Sequence, residues 1–144
     1  MLHEELTNRI ICAFYRVYNS LGHGFLEKVY ENALVIELKK GGLSVTQQEG
    51  VKVFYEGEQV GDYYADIIVN GLVILELKAA EAFKNEHFAQ LTNYLKATDK
   101  EVGLLLNFGK KPEFKRIVLA NGTKISRGSN PINSDKDGLN LLSG

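Results

Sequence analysis

The chain of 144 residues is poor in the side chains that usually hold soft metals: it has one cysteine, Cys12, and three scattered histidines, His3, His23 and His87. A lone cysteine excludes an internal disulfide or a thiolate cluster, and isolated histidines leave zinc poorly supplied, so any metal has to be held by carboxylates. No run approaches the roughly 18 apolar residues that a membrane span needs, and no membrane partner is expected. The opening residues carry acids and polar groups where a secretory signal needs a basic stretch and an apolar core, which makes the cytoplasm the expected compartment. An excess of one charge is also missing. Seventeen Lys and Arg against eighteen Asp and Glu leave a formal charge of −1, which by itself predicts neither a nucleic-acid coat nor an acidic tail. No phosphate-cradling glycine loop, nucleophile elbow or pair of metal histidines occurs, so a small-molecule hydrolase or a cofactor enzyme has little support.

What is present is ordinary in amount and uneven in placement. Hydrophobic residues make up 44% and charged residues 24%, as in other globular chains, and the length fits one domain. From Glu49 to Glu86 eight acids face three bases, a local balance of −5; from Lys110 to Arg127 six bases face one acid, a balance of +5. An acidic middle adjoins a basic end.

Leu6, Ile10, Ala13, Phe14, Val17 and Leu21 recur at helical spacing before Gly22 and Gly24. A second helix is expected over 25–40, with Leu26, Val29, Tyr30, Ala33 and Leu34 as its buried stripe and Gly41 and Gly42 as its stop. Glu27 lies on the margin of that stripe, and Glu31 one turn further on. Short alternating runs follow at 43–48 and 51–56, then a turn at Gly57 and Glu58 and a longer run over 60–69. Asn70 and Gly71 separate two strongly apolar strands, the firmest hairpin signal in the chain. A three-residue loop of Val69, Asn70 and Gly71, pairing Ile68 with Leu72, puts Tyr63, Ala65, Ile67 and Val69 on the same side as Val73, Leu75, Leu77 and Ala79. Asn85 can cap a third helix to about Ala97, and Val102–Phe108 has the continuous apolarity of a buried parallel strand. Residues 114–125 predict a further strand or hairpin around Asn121 and Gly122. Residues 126–144, rich in Ser, Asn, Asp and Gly, are expected to be a mobile tail after a domain spanning 1–125. The chain thus reads as an α/β domain with a mixed sheet covered by helices.

The hairpin pairing brings three charges to one face: Asp66 from the first strand, diagonal to Glu76 on the second, with Lys78 two residues further. Two carboxylates that close raise each other's pKa unless a cation offsets them. Mg²⁺, with Mn²⁺ as a substitute, suits such a pair because it takes oxygen ligands, keeps waters and can bind a phosphate while activating one of those waters. A compact ammonium such as Lys78 can orient that water and screen phosphate charge. A Glu-x-Lys on a strand is also common, and the three groups fit a solvated face with a cross-strand ion pair. Gln90 and Tyr94, one helical turn apart, can point back over the sheet edge, or be a surface amide and a packed aromatic.

The stretch Gly24-Phe25-Leu26-Glu27-Lys28-Val29-Tyr30 resembles the signature of the GxxExxY proteins, a branch of the PD-(D/E)XK nuclease-like superfamily. Tyr64-Ala65-Asp66, Val73-Ile74-Leu75-Glu76-Leu77-Lys78-Ala79, Ala89-Gln90-Leu91-Thr92-Asn93-Tyr94-Leu95 and Gly103-Leu104-Leu105-Leu106-Asn107-Phe108 follow it in the family's order, so the resemblance covers about Glu4 to Ile125. It implies a restriction-endonuclease-like core, a central mixed β-sheet flanked by helices. It further implies that Asp66 and Glu76 bind the divalent metal, that Lys78 assists the attacking water, and that Glu27 completes the metal environment. Tyr30, Gln90 and Tyr94 are then supporting residues. Ala65 stands where the superfamily name has proline, and Tyr64 where relatives often carry arginine. The activity implied is Mg²⁺-dependent hydrolysis of nucleic-acid phosphodiester bonds, with DNA the expected partner. The alternative is a non-catalytic nucleic-acid or protein interaction module that kept the fold and binds through Lys110, Lys111, Lys115 and Arg116. Nothing in the chain opposes a homodimer.

Overall fold

The structure is a computed structural model and describes residues 1–124; the expectation of a mobile tail falls on residues outside that range. Helices α1 (Glu4–Leu21) and α2 (Glu27–Lys40) precede strands β1 (Val45–Tyr55), β2 (Glu58–Val69) and β3 (Val73–Lys78). Helix α3 (Asn85–Lys96), β4 (Val102–Phe108) and β5 (Pro112–Val118) follow, with one 3₁₀ turn at Asn121–Thr123. The five strands lie side by side in chain order. Only β3 and β4 are parallel, joined through α3; every other pair is antiparallel. The fold is the mixed α/β arrangement that the pattern of elements predicts.

The sheet has a core on each face. Helices α1 and α2 cover one side, where Ile10, Phe14, Tyr30, Leu34 and Leu38 pack on Ile67, Leu75, Leu104, Leu106 and Phe108. Tyr30 stacks on Phe108 with centroids 4.3 Å apart, and Phe14 meets the same ring edge-on at 4.8 Å. Such pairs add about 0.5–1.5 kcal/mol beyond the area they bury. Helix α3 covers the other side, with Leu91, Tyr94 and Leu95 against Ile68, Ile74 and Leu105. It lies so close to β4 that a Cβ at Gly103 would sit 2.8 Å from a Leu91 methyl, which explains a glycine inside a buried strand.

Several expectations need correction. The runs at 43–48 and 51–56 form one strand, β1, because Gln48 takes a left-handed backbone (φ 54°) between them without ending the pairing with β2. The following turn uses Glu56 and Gly57, both at positive φ, one residue earlier than expected. Helix α2 starts at Glu27, and its buried face is Tyr30, Glu31, Leu34, Val35 and Leu38; Leu26 and Val29 are exposed. The stripe is rotated toward the sheet because Leu26 lies before the helix and cannot anchor its face. Lys84 caps α3, with Asn85 its first residue. Among the described residues β5 ends at Val118 and no hairpin follows, since Asn121 and Gly122 enter the 3₁₀ turn instead.

Candidate active site at the fork of two strands

The hairpin register sets the site. Val69 pairs with Val73, Ile68 with Ile74 and Ile67 with Leu75, so the loop is Asn70, Gly71 and Leu72 and not Val69 to Gly71. Asn70 and Gly71 both adopt positive φ, and the Leu72 N–H closes the turn on the Val69 carbonyl at 2.9 Å. The pairing is displaced by two residues from the expected one. A shift of two keeps every side chain on its face. It also moves Asp66 from a diagonal position to one opposite Glu76.

The regular ladder stops at Ile67 and Leu75, and the carboxylates take over the hydrogen bonds. The Asp66 N–H donates to Glu76 Oε2 (3.3 Å), and the Leu77 N–H donates to Asp66 Oδ2 (2.8 Å). The fork coincides with a change of side in β2. Tyr63 and Ala65 pack in the α3-side core while Ile67 and Val69 pack under α1 and α2, contrary to the expectation that all four share one face. Asp66 sits at that change-over, opposite the left-handed Gln48 of β1.

Burial governs both acids, and Asp66 adds repulsion at Glu76. Glu76 is 4% exposed, and its pKa is pushed up to about 8, first by burial, then by Asp66; the Asp66 N–H and Lys78 pull the other way. Asp66 is also raised, mainly by burial, against the Leu77 N–H bond, with Glu31 adding to the rise and Gln48 and Lys78 opposing it. Lys78 is half-buried and acts electrostatically on both acids. Glu27 is exposed at the start of α2 and reaches Glu76 only through its field. Among the described residues no group of three or more His, Cys, Asp or Glu side chains lies close enough to hold an ion, so Asp66 and Glu76 meet without Glu27.

The remaining residues from the sequence fall around this fork or away from it. Tyr94 is buried; its hydroxyl donates to the Tyr64 carbonyl at 2.8 Å, fixing β2 two residues before Asp66. Gln90 hydrogen-bonds the same hydroxyl, while burial, Glu76 and Asp66 keep the phenol protonated by raising its pKa. Tyr30 is buried, its hydroxyl donating to the Gly22 carbonyl (2.6 Å) and accepting from the Phe25 N–H (3.1 Å). It thereby closes the loop that carries Gly24, whose φ of 112° suits glycine alone, and sets Glu27 at the helix start. The four bases do not form one patch. Lys110 and Lys111 are exposed at the turn before β5, whereas Lys115 and Arg116 are consecutive on that strand and point to opposite sides. The half-buried Arg116 guanidinium donates to the Leu2 carbonyl.

Three participants have no role in the sequence reading, although it names Glu31 one turn beyond Glu27 and His87 among the histidines. Glu31, 5% exposed, accepts from Gln47 Nε2 (2.9 Å), Gln48 Nε2 (3.2 Å to each oxygen) and Lys28 Nζ (3.3 Å). Its signal was its spacing from Leu34, Val35 and Leu38, which puts it on the buried face. Gln48 also reaches Asp66 Oδ1 at 3.4 Å and so links the two acids. His87 accepts the Lys84 N–H at Nδ1 (3.1 Å), and its pKa is lowered by burial and then by Lys78, which places it near the lysine. A cavity of about 650 Å³ between α1 and the end of α2, lined in part by Arg9, Cys12, Arg16 and Glu37, shares no residue with the fork.

Residues 4–117, which span all three helices and nearly the whole sheet, match a known sequence profile, that of the PD-(D/E)XK nuclease superfamily. The chain belongs to this superfamily. The solved crystal structure of SSO0001 shares the fold with a TM-score of 0.51 at 17% sequence identity, over 82% of this chain. The chain spans 60% of that one's length. No curated protein matches it. No helix among the described residues is long and apolar enough to cross a membrane.

Proposed function

We propose that this protein is a Mg²⁺-dependent nuclease of the GxxExxY branch that hydrolyses phosphodiester bonds in DNA. The observation that carries the reading is the pairing of Asp66 and Glu76 at the fork, both raised by burial and Glu76 further by Asp66, with Lys78 beside them. Such a pair favours a cation, which offsets the charge that burial penalises. The donor set fits Mg²⁺, which needs one or two carboxylates and fills its other positions with water and phosphate oxygens. Asp66 and Glu76 would hold the ion, with Glu27 reaching it through a water. When bound, it supplies Lewis-acid polarisation of the phosphate and a more acidic water. Lys78 orients the attacking water with its ammonium and offsets charge on the phosphate in the transition state. Tyr94, held by Gln90 and by the Tyr64 carbonyl, keeps β2 from shifting as Asp66 takes up its ligand role.

A second reading, a binding module that retains the fold, is favoured by the absence of a three-acid cluster among the described residues and by Tyr64 in place of a basic side chain. Cleavage of labelled single-stranded, duplex and branched DNA with Mg²⁺ or Mn²⁺ separates the two. The nuclease reading expects wild-type cleavage and losses of at least about 100-fold in Asp66→Asn, Glu76→Gln and Lys78→Ala, the scale of a catalytic group. Equal cleavage by all four proteins assigns the activity to a contaminant. No cleavage of any substrate leaves the module.

A further inference from the structure

Ala79, the residue after Lys78, opens a second concavity. A depression of about 240 Å³ lies at the carboxyl ends of the parallel strands β3 and β4, between the α1–α2 loop, the segment after β3 and the turn after β4. Open α/β sheets receive ligands in the crevice outside those strand ends. Each of the three walls is pinned by a side chain that gives its polar atoms to the backbone. Tyr30 closes the first wall through Gly22 and Phe25. Asn107, with no exposed surface, makes two 2.9 Å bonds to the backbone of Ala80 in the second. In the third, the Tyr18 hydroxyl lies 2.8 Å from the Gly109 carbonyl and 2.6 Å from that of Lys110. The depression therefore has a fixed shape before any ligand arrives.

Its lining names the ligand. The Phe25 ring is 46% exposed, beside buried Phe108, which gives a flat apolar surface open to solvent. Lys110 and His23 on the rim attract a phosphate, while Glu81 on the same rim repels one and can accept from an exocyclic amine. The volume falls below the roughly 300 Å³ at which sites for drug-sized ligands begin, so it suits one planar ring. Phe25 is two residues from Glu27, and Ala79 directly follows Lys78, so the lining is continuous along the chain with both. We infer that it is a nucleobase subsite: it takes one unpaired base of the strand being cut against Phe25, with a flanking phosphate on Lys110. The inference rests on the nuclease reading and specifies its substrate as a strand with at least one unstacked base.

The test is fluorescence anisotropy of the full chain with a labelled single-stranded oligodeoxynucleotide in EDTA, which reads binding without cleavage. Phe25→Ala is expected to weaken binding about tenfold and Phe25→Trp to restore it, as base stacking on an aromatic ring predicts. A single abasic nucleotide, scanned along the strand, is expected to cost the wild type about tenfold at one position and Phe25→Ala nothing further there. Lys110→Ala should weaken binding at every position of the scan alike. Thermal melting checks that the exposed Phe25 can be replaced without unfolding. Unchanged binding by Phe25→Ala, equal abasic losses at all positions, or no binding of the single strand overturns the subsite. A position-specific loss in a protein that cuts nothing keeps the subsite and removes the nuclease; a flat scan in a protein that cuts does the reverse.

Discussion

At the level of single side chains the fork is a store of unfavourable negative charge. Glu76 rises from 4.5 to about 8 in the fold, so this group favours the folded chain most below about pH 4.5 and loses that contribution as the pH climbs through about 8. On the nuclease reading, a cation at the pair would reverse the preference and displace the proton. Titration calorimetry of Mg²⁺ or Mn²⁺ in two buffers of different ionisation enthalpy is expected to find about one proton released near neutral pH, with affinity rising as the pH approaches 8. Release of none would mean that Glu76 is not a ligand. Gln48 donates its neutral amide to both Glu31 and Asp66, beside the charges of Lys28 and Lys78. Its left-handed backbone costs on the order of 1–2 kcal/mol in a residue with a Cβ, and that cost is met by three amide contacts to carboxylate oxygens. Gln48→Ala keeps the strained backbone and removes the contacts, so urea titration in EDTA should show a loss of about 1–3 kcal/mol. Saturating Mg²⁺ should shrink that loss; an equal loss with and without it would make Gln48 purely structural.

At the level of elements, legibility followed periodicity. The faces of β2 and β3 near the turn could be read because alternation is insensitive to a register shift of two, so the meeting of an Asp66 with a Glu76 survived a misplaced loop. What could not be read was the change of side at Asp66, since Tyr63, Ala65, Ile67 and Val69 alternate without a break and two different cores divide them. Gln48 was equally silent, because neither its type nor its neighbours favour positive φ. In α2 the apolar residues before the helix, Phe25 and Leu26, drew the stripe toward themselves and away from Glu31. The segment they form has its own job, held by Tyr30. Tyr30→Phe retains the stack on Phe108 and removes both hydroxyl bonds, for an expected loss of about 1–2 kcal/mol. Hydrogen exchange should localise it: the Phe25 amide becomes fast while amides in the middle of α2 keep their protection, and a uniform increase through the helix would show that the ring, not the hydroxyl, carries the effect.

At the level of the molecule, the nuclease reading has an acidic middle and a basic end share one nucleic acid. Of the eight acids Asp66 and Glu76 meet at the fork, and the bases lie beyond β4, so on the nuclease reading a strand seated at the fork would meet Lys110 and Lys111 on leaving it. The +5 balance of that end overstates its reach. Lys115 and Arg116 face opposite sides of the sheet, and Arg116 already serves the Leu2 carbonyl that ties the first residues to β5. The two kinds of base should separate in measurement. Each phosphate contact to a single strand contributes about 0.7 to the slope of log affinity against log salt, through released counterions. Lys111→Ala should therefore lower that slope by about 0.7 and leave the melting temperature where it was. Arg116→Ala should leave the slope alone and lower the melting temperature, since it unties a half-buried guanidinium from the backbone. A slope that falls by as much in Arg116→Ala as in Lys111→Ala would place the nucleic acid across both faces of the β5 edge, and the path from the fork past Lys110 would then be wrong.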